Sequence, residues 1–373
     1  MNSQQKNRPH ESTMIFSSRW VMMILLMSTS SILLLIVGVF IPYIGPAAIT
    51  TTIDYSGSEW KDYRLEEALK RVAGKKDKTV IVCTVSEPYW PLLNNWLISV
   101  KRQKHHDKVL VIAEDYATLF KVNERWPGHA VLIPPVPDSQ SAHNYGSQGF
   151  YNFTSRRPRH LLKILELGYS VMYNDVDLVW VEDPFPYFQE NHDIYFSDDT
   201  DQVLIFYSSS TFIFISFKLA LLNLLLLMQV KPLNHAHNLP PPGRDKRTNI
   251  CSCIIYLHPT VGAKLVISKW IEEILDEHWT SNNKANDQPA FNFALMKTIK
   301  QVDMYLLPQV AFPTGGVFFL NKTWAQQNKG KQAIIHNNYI VGFQNKIKRF
   351  QEYGLWLIHD HLIESPIGDL SSP

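Results

Sequence analysis

Two aspartates one residue apart, Asp175 and Asp177, interrupt the otherwise apolar segment "VMYNDVDLVW" (171–180). Aspartate is depleted in strands and is seldom fully buried unless it is paired or bound to a cation. Residues i and i+2 of an extended backbone project to the same side, so both carboxylates can hold one ion. Carboxylate oxygens suit a hard divalent cation such as Mg²⁺ or Mn²⁺. The pair therefore predicts a metal site, with a structural pair or a surface turn as the alternative.

The segments around this pair alternate between predicted strands and predicted helices. Strands are predicted at 78–85, 108–115, 129–135 and 169–174, and helices at 58–74, 89–103, 116–126 and 158–167. This alternation predicts an α/β fold with a doubly wound, mostly parallel sheet. Ligands of such sheets bind beyond the carboxyl ends of the strands. Thr84, near the end of the first strand, is therefore a candidate contact for a bound donor molecule.

The composition is that of a folded protein. Of the 373 residues, 45% are apolar and 12% are aromatic. The formal net charge is +2, from 36 basic and 34 acidic residues, so no large field of one sign is available to attract nucleic acid. Partners must therefore be recognised by local sites.

The N-terminal region contains an uncharged segment, residues 21–41. As a helix it is long enough to cross the roughly 30 Å hydrocarbon core of a bilayer. We predict a transmembrane signal-anchor, with a cleaved signal peptide ending near "GPAA" (45–48) as the alternative. Basic residues precede the segment and acidic ones follow it, so the positive-inside rule makes residues 1–20 a cytosolic tail. Residues 42–76 are then a lumenal stem, and residues 77–373 form the main domain.

Two sequons and three cysteines bear on the prediction of a lumenal domain. Two N-glycosylation sequons, at Asn152 and Asn321, are consistent with a lumenal position. Cys251 and Cys253 stand too close together in sequence for an easy bridge to each other. Buried free thiols are the simpler prediction, with a bridge from one of the pair to Cys83 as the alternative. Only one histidine lies near the pair in sequence, so no zinc site is expected.

Longer segments of the chain resemble a known family. A D-x-D at a strand end resembles the nucleotide-sugar site of GT-A glycosyltransferases. A closer resemblance is carried by "CTVSEPYWPLLNNWL", "GSQGFYNFTSRRPRHLLKILELGYSVMYNDVDLVW", "NDQPAFN", "AFPTGG" and "IIHNNYIVGF". These segments resemble the plant UDP-D-xylose:L-fucose α-1,3-D-xylosyltransferases that act on the pectin rhamnogalacturonan II, over residues 78–202 and 230–368. The resemblance implies a single-pass type II protein of the Golgi membrane with a GT-A-like lumenal domain, a divalent cation, and retaining transfer of xylose from UDP-xylose to fucose.

The resemblance also implies roles for particular residues. A cation held by Asp175 and Asp177 would stabilise the charge that develops on the diphosphate as the sugar bond breaks. Asp175 is also a candidate contact for the ribose of the donor. His336 ends an apolar predicted strand, where related enzymes place a third metal ligand; a hydrogen-bonded histidine at a strand end is the alternative. Lys346 and Lys348 are candidates for contact with the diphosphate, or they belong to a solvated helix face.

The segment "NDQPAFN" (286–292) supplies candidates for the sugar side of the site. Asp287 and Gln288 open a predicted helix that has Pro289 in its first turn. In the resembled fold this segment faces the sugar ring, so both are candidate catalytic residues that orient the donor; capping of the helix by Asp287 is the alternative. A retaining reaction can proceed by attack on the leaving-group face or by double displacement, for which Asp287 is the first nucleophile to test. Arg156 and Arg157 could contact the donor or form a solvated loop pair, and Arg156 is the donor-binding candidate.

Two further patterns are weaker. "AFPTGG" (311–316) has two glycines that permit a close backbone approach to a sugar, or that simply form a bend. "HDH" (359–361) has no supporting ligand set and is interpreted as surface or packing.

Two other functions stay open at this point. The chain could transfer another UDP-sugar, such as arabinose or galactose, to a cell-wall glycan or a glycoprotein, because few pocket contacts distinguish one hydroxyl group from another. It could also be a lumenal sugar-binding protein without turnover, which would need a cation but no contacts to a diphosphate.

Residues 203–229 are anomalous, because they are apolar and long enough to cross a bilayer. A crossing there would separate Asp177 from Asp287 and His336. The resemblance stops before this segment and resumes after it, and 20 of its 27 residues are Phe, Leu, Ile, Tyr or Ser, which T-rich codons encode. We therefore hypothesise a retained intron translated in frame, and we expect the form that lacks residues 203–229 to be the active one.

Overall fold

The computed structural model describes residues 59–73, 78–133, 143, 145–189, 191–199, 250–276, 286–358 and 364–368. The predicted anchor, the apolar insert and the "HDH" segment lie outside the described residues. No helix within the described ranges is long and apolar enough to cross a membrane.

The strands of the described region form a large sheet and a small one. They are β1 (Thr79–Val85), β2 (Val109–Ala113), β3 (Ala130–Leu132), β4 (Ser170–Asn174), β5 (Leu178–Trp180), β6 (Ile194–Asp198), β7 (Ile250–Leu257), β8 (Met304–Leu307) and β9 (Ile334–His336). The large sheet has the order β3-β2-β1-β4-β7-β6-β8. Neighbours from β3 to β4 are parallel, as predicted, and β8 is parallel to β6. β7 runs antiparallel to both β4 and β6, so the sheet is mixed and mostly parallel.

Helices cover this sheet. They are α1 (Leu65–Val72), α2 (Trp90–Arg102), α3 (Tyr116–Arg125), α4 (Gln148–Thr154), α5 (Arg157–Glu166), α6 (Val261–Leu275), α7 (Gln288–Thr298), α8 (Lys322–Gln327) and α9 (Phe343–Glu352). The predicted helix at 58–74 is shorter, because residues Glu59–Asp62 form a separate 3₁₀ turn. The helix expected after "ND" begins at Gln288 with Pro289 in its first turn, as predicted.

The core lies on both faces of the sheet. Along β1, Ile81 and Cys83 belong to one buried apolar cluster, and Val80 and Val82 belong to the other. A strand that is covered on both sides needs apolar residues at every position, which explains the continuous apolar run in "TVIVCTV". The carboxyl edge of the sheet is thereby held rigidly from two sides.

The small sheet sets the geometry around the D-x-D pair. β4 ends at Asn174 and β5 begins at Leu178, so the two aspartates occupy the link between two strands. β5 pairs antiparallel with β9, and Leu178 is the register partner of His336. A residue far along the chain therefore lies beside the D-x-D pair.

The cysteine prediction was wrong for one pair. Cys251 and Cys253 form a disulfide, whereas Cys83 is a buried free thiol. Phe196 of β6 faces Ile255 of β7, but Asp198, two residues later, faces Ile250, so β7 is irregular where the two cysteines lie. This irregularity brings their Cα atoms to 5.3 Å, within the range that a disulfide spans.

Candidate active site

The D-x-D pair is anchored by the residue before it. The carboxamide oxygen of Asn174 accepts hydrogen bonds from the indole nitrogens of Trp96 and Trp180, at 3.3 and 2.6 Å. Both indoles are buried in the core. Because Asn174 is the last residue of β4, these bonds fix the direction in which the chain leaves the sheet.

Three side chains converge beyond the end of β4. One carboxylate oxygen each from Asp175 and Asp177 and one ring nitrogen of His336 lie within 4.8 Å of one another. His336 Nε2 is 3.5 Å from Asp177 Oδ1. Two carboxylates and an imidazole are a donor set that fits a divalent cation. The structure therefore brings together the three residues that the sequence predicted as metal ligands.

Asp177 is held in its ionised form. Its Oδ2 accepts a hydrogen bond from the ammonium group of Lys346, and His336 lies on its other side. Burial alone would raise the pKa of Asp177, but Lys346 and His336 outweigh burial and lower this pKa below its ordinary value.

The two candidate lysines have different surroundings. The Lys346 side chain is 23% exposed, and its Nζ also donates to the carbonyl oxygen of Asn337, 3.2 Å away. The Lys348 side chain is 75% exposed and lies 3.8 Å from Glu352, one turn later on α9. Of the two, only Lys346 contacts the metal-ligand cluster.

Arg157 connects the two halves of the site; the sequence offered it together with Arg156 and did not separate the two. This arginine is buried, and its Nη2 lies 3.1 Å from Asp175 Oδ1 and its Nε 3.6 Å from Asp287 Oδ2. It also donates to the carbonyl oxygen of Ser252 at 2.6 Å. Burial would lower its pKa, but the two aspartates raise it overall.

Arg156, the predicted donor-binding residue, points elsewhere. It forms an ion pair with buried Glu114 at 2.9 Å, and Glu114 also contacts His160 of α5 at 3.3 Å. Successive residues at a helix start point about 100° apart, so two adjacent arginines serve different neighbours. No pattern in the sequence distinguishes the two.

Asp287 is buried and does not cap its helix. Its side chain makes no capping hydrogen bond; instead Oδ1 accepts from the hydroxyl of Ser252 at 3.3 Å. Its Oδ2 accepts no hydrogen bond from the described residues. Burial raises the pKa of Asp287 to about 6, although the charge of Arg157 opposes this shift. Oδ2 is therefore a buried acceptor to which no described residue donates a hydrogen bond, with Arg157 Nε 3.6 Å away.

Asp175 is in a different electrostatic state from Asp177. Its Oδ1 accepts a hydrogen bond from the hydroxyl of Tyr173 at 2.8 Å and pairs with Arg157. Burial raises the pKa of Asp175, while Arg157 opposes the shift. A cation between the two carboxylates would offset the cost of burying both charges.

Asp199, which the sequence analysis did not single out, joins Gln288 to the segment after β9. Gln288 Nε2 donates to Asp199 Oδ2 at 2.7 Å, and Asn338 Nδ2 donates to Oδ1 at 2.8 Å. Burial raises the pKa of Asp199 to about 6, against the opposing effect of the Gln288 hydrogen bond. The signal was present, because Asp199 follows β6 just as Asp175 follows β4.

The other predicted residues are further from this cluster or serve the scaffold. Thr84 is buried in β1, where it is the register partner of Ile112. Gly315 of "AFPTGG" contacts the side chain of Asn338: its backbone N–H donates to Asn338 Oδ1 at 2.6 Å. The sequon residue Asn152 is exposed on α4, and Asn321 caps α8.

Comparisons with known proteins identify the family of the chain. Residues 104–350 match the nucleotide-diphospho-sugar transferase family. The chain is similar to UDP-D-xylose:L-fucose alpha-1,3-D-xylosyltransferase MGP4 of Arabidopsis thaliana, with 59% identity over 91% of this chain and 86% of that protein. It is also similar to UDP-D-xylose:L-fucose alpha-1,3-D-xylosyltransferase 1 of the same plant, with 56% identity over 91% and 88% of the two chains. Among solved structures, the glycosyltransferase GlyE of Streptococcus pneumoniae covers 75% of this chain and 60% of its own, with 14% identity and a TM-score of 0.42.

Proposed function

Because the chain belongs to the nucleotide-diphospho-sugar transferase family, we propose that it transfers xylose from UDP-xylose to a fucose residue, with an α-1,3 linkage and retention of configuration. The observation that carries the proposal is the convergence of Asp175, Asp177 and His336, with Lys346 beside them. A cluster of this kind suits a diphosphate-bearing donor. The choice of xylose and fucose follows from the names of relatives more than 50% identical to this chain.

In this proposal Asp175, Asp177 and His336 would hold Mn²⁺ or Mg²⁺. When bound, the cation supplies Lewis-acid stabilisation for the charge of the departing diphosphate. Lys346 adds a positive charge beside Asp177, where the leaving group would lie.

The Asp287 side of the site is assigned to the sugar. Asp287 Oδ2 is buried without a hydrogen bond from the described residues, so it would accept one from a sugar hydroxyl. Arg157 keeps Asp287 and Asp175 at a fixed separation. In a front-face attack a diphosphate oxygen takes the acceptor proton, whereas in a double displacement Asp287 lies beneath the anomeric carbon.

The proposed setting is the Golgi lumen, where the chain is a single-pass type II membrane protein that modifies rhamnogalacturonan II. The uncharged run at 21–41 and the excess of basic residues before it support this topology. The pectic acceptor rests on the family resemblance of the long segments quoted above.

A panel of donors and acceptors tests the proposal. Membranes containing the chain, with and without residues 203–229, are incubated with Mn²⁺, L-fucose or other monosaccharides, and UDP-xylose, UDP-arabinose or UDP-galactose. We expect the highest rate with UDP-xylose and L-fucose. A clear preference for another UDP-sugar would replace the substrate assignment, and binding of sugar that is independent of nucleotide would indicate a non-catalytic protein.

A further inference from the structure

We infer that Asp199 is a positioning residue. It fixes the start of α7, which carries Asp287 and Gln288, relative to the metal-ligand residue His336 and the segment that follows it. Its carboxylate bridges the start of α7, which carries the sugar-side residues, and the segment after His336, which carries the metal side. The inference rests on the proposed function, which assigns the sugar to the start of α7 and the diphosphate to the metal ligands. The bridge itself rests on three hydrogen bonds to one residue.

The polarity of the bridge is set by its partners. Gln288 Oε1 accepts from the backbone N–H of Ser252 at 3.3 Å. Asn338 Oδ1 accepts from the backbone N–H of Gly315 at 2.6 Å. Each carboxamide therefore has its oxygen occupied by a backbone donor, and its nitrogen must face Asp199. Two donors directed at one side chain require two acceptor oxygens, which a carboxylate has and a carboxamide lacks.

The main chain contributes to the same bridge. The hydroxyl of Tyr339 donates to the carbonyl oxygen of Asp199 at 2.5 Å. Tyr339 has φ of 56°, in the left-handed region that a residue other than glycine seldom occupies without compensation. The loop after β9 is thus held to residue 199 by both a side chain and a backbone group.

The metal side is packed tightly behind the bridge. Arg349 Nε donates to Asn337 Oδ1 at 2.6 Å, and its Nη2 donates to the carbonyl oxygen of Asn338 at 2.5 Å. A Cβ added at Gly315 would lie 2.2 Å from that same carbonyl oxygen. Arg349 and Gly315 thus hold the loop at Asn337 and Asn338, and Asp199 joins this loop to Gln288.

This arrangement accounts for three of the segments quoted in the sequence analysis. "NDQPAFN" provides Gln288, "AFPTGG" provides Gly315, and "IIHNNYIVGF" provides Asn338 and Tyr339. Gln288, Asn338 and Tyr339 bond to Asp199 directly, and Gly315 bonds to Asn338. The role of Asp199 is to set the distance between the metal ligands and the sugar-side residues rather than to touch the reacting atoms.

The test uses hydrogen-bond polarity. Asp199→Asn has the same shape but presents only one acceptor, so one of the two carboxamide nitrogens faces another donor. We expect kcat to fall roughly tenfold or more, as for the loss of a charge-assisted hydrogen bond. The affinity for UDP with Mn²⁺, measured by calorimetry, stays within about twofold, because those groups bind on the metal side.

Two double variants restore the pattern from either end. In Asp199→Asn with Asn338→Asp, the carboxylate at 338 accepts from Gly315 with one oxygen and from the amide at 199 with the other. In Asp199→Asn with Gln288→Glu, the carboxylate at 288 accepts from the backbone N–H of Ser252 with one oxygen and from the amide at 199 with the other. We expect the first double variant to recover most of kcat. We expect the second to recover the hydrogen-exchange protection but not kcat, because Gln288→Glu places a new negative charge on the sugar side of the site.

The readouts are kcat, UDP affinity, and amide hydrogen exchange of residues 286–292 and 336–343, in the chain with and without residues 203–229. Asp303→Asn is the control, because this carboxylate pairs with His192 at the opposite end of the β6–β8 pair. Asp199→Asn should speed exchange in both segments, and Asp303→Asn in neither.

The outcomes separate the inference from the proposed function. If the wild-type chain transfers no xylose, the proposed function fails, and the exchange pattern still tests the bridge. If the wild-type chain is active while Asp199→Asn keeps normal kcat and normal exchange, the inference is wrong. It is equally wrong if neither double variant improves on a folded Asp199→Asn protein.

Discussion

At the scale of single residues, the site places carboxylates in opposite electrostatic states within a few ångströms. Lys346 and His336 lower the pKa of Asp177 against the effect of burial. Burial raises the pKa values of Asp175 and Asp287, although Arg157 pairs with both. Lys346 and His336 thus favour the ionised form of Asp177, whereas a bound cation would lower the raised pKa of Asp175.

The two lysines give a matched comparison. We predict that Lys346→Ala lowers transfer roughly a hundredfold, the scale expected when a charge that stabilises a leaving group is removed. Lys348→Ala should stay near the wild-type rate, because that side chain is exposed and pairs only with Glu352 among the described residues. Steady-state transfer rates of both variants test this prediction. Equal losses of rate would contradict a role of Lys346 in stabilising the leaving group.

The raised pKa of Asp287 predicts a pH effect on stability. In the unfolded chain this carboxyl titrates near its ordinary value of about 4, and in the fold near about 6. Between these values the native state binds more protons, so the free energy of unfolding falls as pH rises through this window and is constant above it. The contribution of Asp287 is at most about 3 kcal/mol.

Asp287→Asn should flatten this part of the pH profile. Denaturant unfolding with a chelator present, from about pH 4 to about pH 7, measures the difference between variant and wild type. A difference that does not change with pH over this window would show that Asp287 titrates normally in the fold.

The sequence identified residues whose type and position were unusual. It did not identify residues whose role depends on which side chains lie beside them in the fold. Asp175, Asp177 and His336 stood out because each breaks or ends an apolar run. Arg157 did not stand out from Arg156, since only the direction of the helix start separates them. Asp199 followed the same rule as the D-x-D pair but had no partner in the sequence to mark it.

At the scale of elements, the site depends on short connections between strands. The sequence predicted the strand that ends at Asn174, but not the second strand: the chain leaves the large sheet after Asn174 and enters the small sheet at Leu178. Alternation of apolar residues cannot reveal this, because both strands are buried and equally apolar. The pairing of β5 with β9 is a long-range contact that no local pattern encodes.

The turn at "AFPTGG" gives a prediction at this scale. Gly315 has an ordinary helical backbone, with φ of −62°, so only its lack of a side chain makes it necessary. A Cβ would lie 2.2 Å from Asn338 O and 3.0 Å from Arg349 Nη2. We predict that Gly315→Ala costs about 1–3 kcal/mol, as overpacking does, and weakens Mn²⁺ binding by displacing the loop after His336.

Gly330→Ala is the control for this substitution. Gly330 has φ of 78° and no atom within 4 Å of an added Cβ, so its cost is conformational and about 1 kcal/mol. Denaturant unfolding and Mn²⁺ titration of both variants separate the two effects. Normal Mn²⁺ affinity in Gly315→Ala would show that the loop tolerates displacement.

At the scale of the whole molecule, the site gathers residues from both sides of the apolar insert. Asp198 and Ile250 are register partners in the β6–β7 ladder. Arg157, before the insert, contacts Ser252 and Asp287, after it, and the backbone N–H of Asp175 donates to the carbonyl oxygen of Cys253. These described residues therefore lie in one compartment.

The insert hypothesis has a direct test in the transcript. The 27 residues correspond to 81 nucleotides, and we predict that the mature mRNA lacks them. Amplification across this position should give a product shorter by that length, and the protein made from it should be the active form. A mature transcript that keeps these nucleotides, together with activity of the full chain, would refute the hypothesis.

Topology can be tested at the two sequons. Gln148 donates to Asn152 Oδ1 at 2.7 Å, and the Trp324 N–H donates to Asn321 Oδ1 at 3.0 Å. A glycan attaches to Nδ2, so both hydrogen bonds are compatible with modification. We predict a glycosidase-sensitive shift that disappears only when both asparagines are replaced by glutamine. Cleavage of the catalytic region by protease in sealed microsomes would contradict a lumenal position.

The most direct test of the central claim is product formation from UDP-xylose and L-fucose by the wild-type chain and by Asp177→Asn, each with Mn²⁺ and with a chelator. The variant keeps the size of the side chain and removes the charge that Lys346 and His336 surround. We predict an α-1,3-linked xylosyl-fucose, identified by NMR, from the wild type with Mn²⁺, and at least a roughly hundredfold loss in the other three samples. A folded Asp177→Asn protein that forms this product at the wild-type rate, or a wild type that forms it equally well with chelator, would contradict the account.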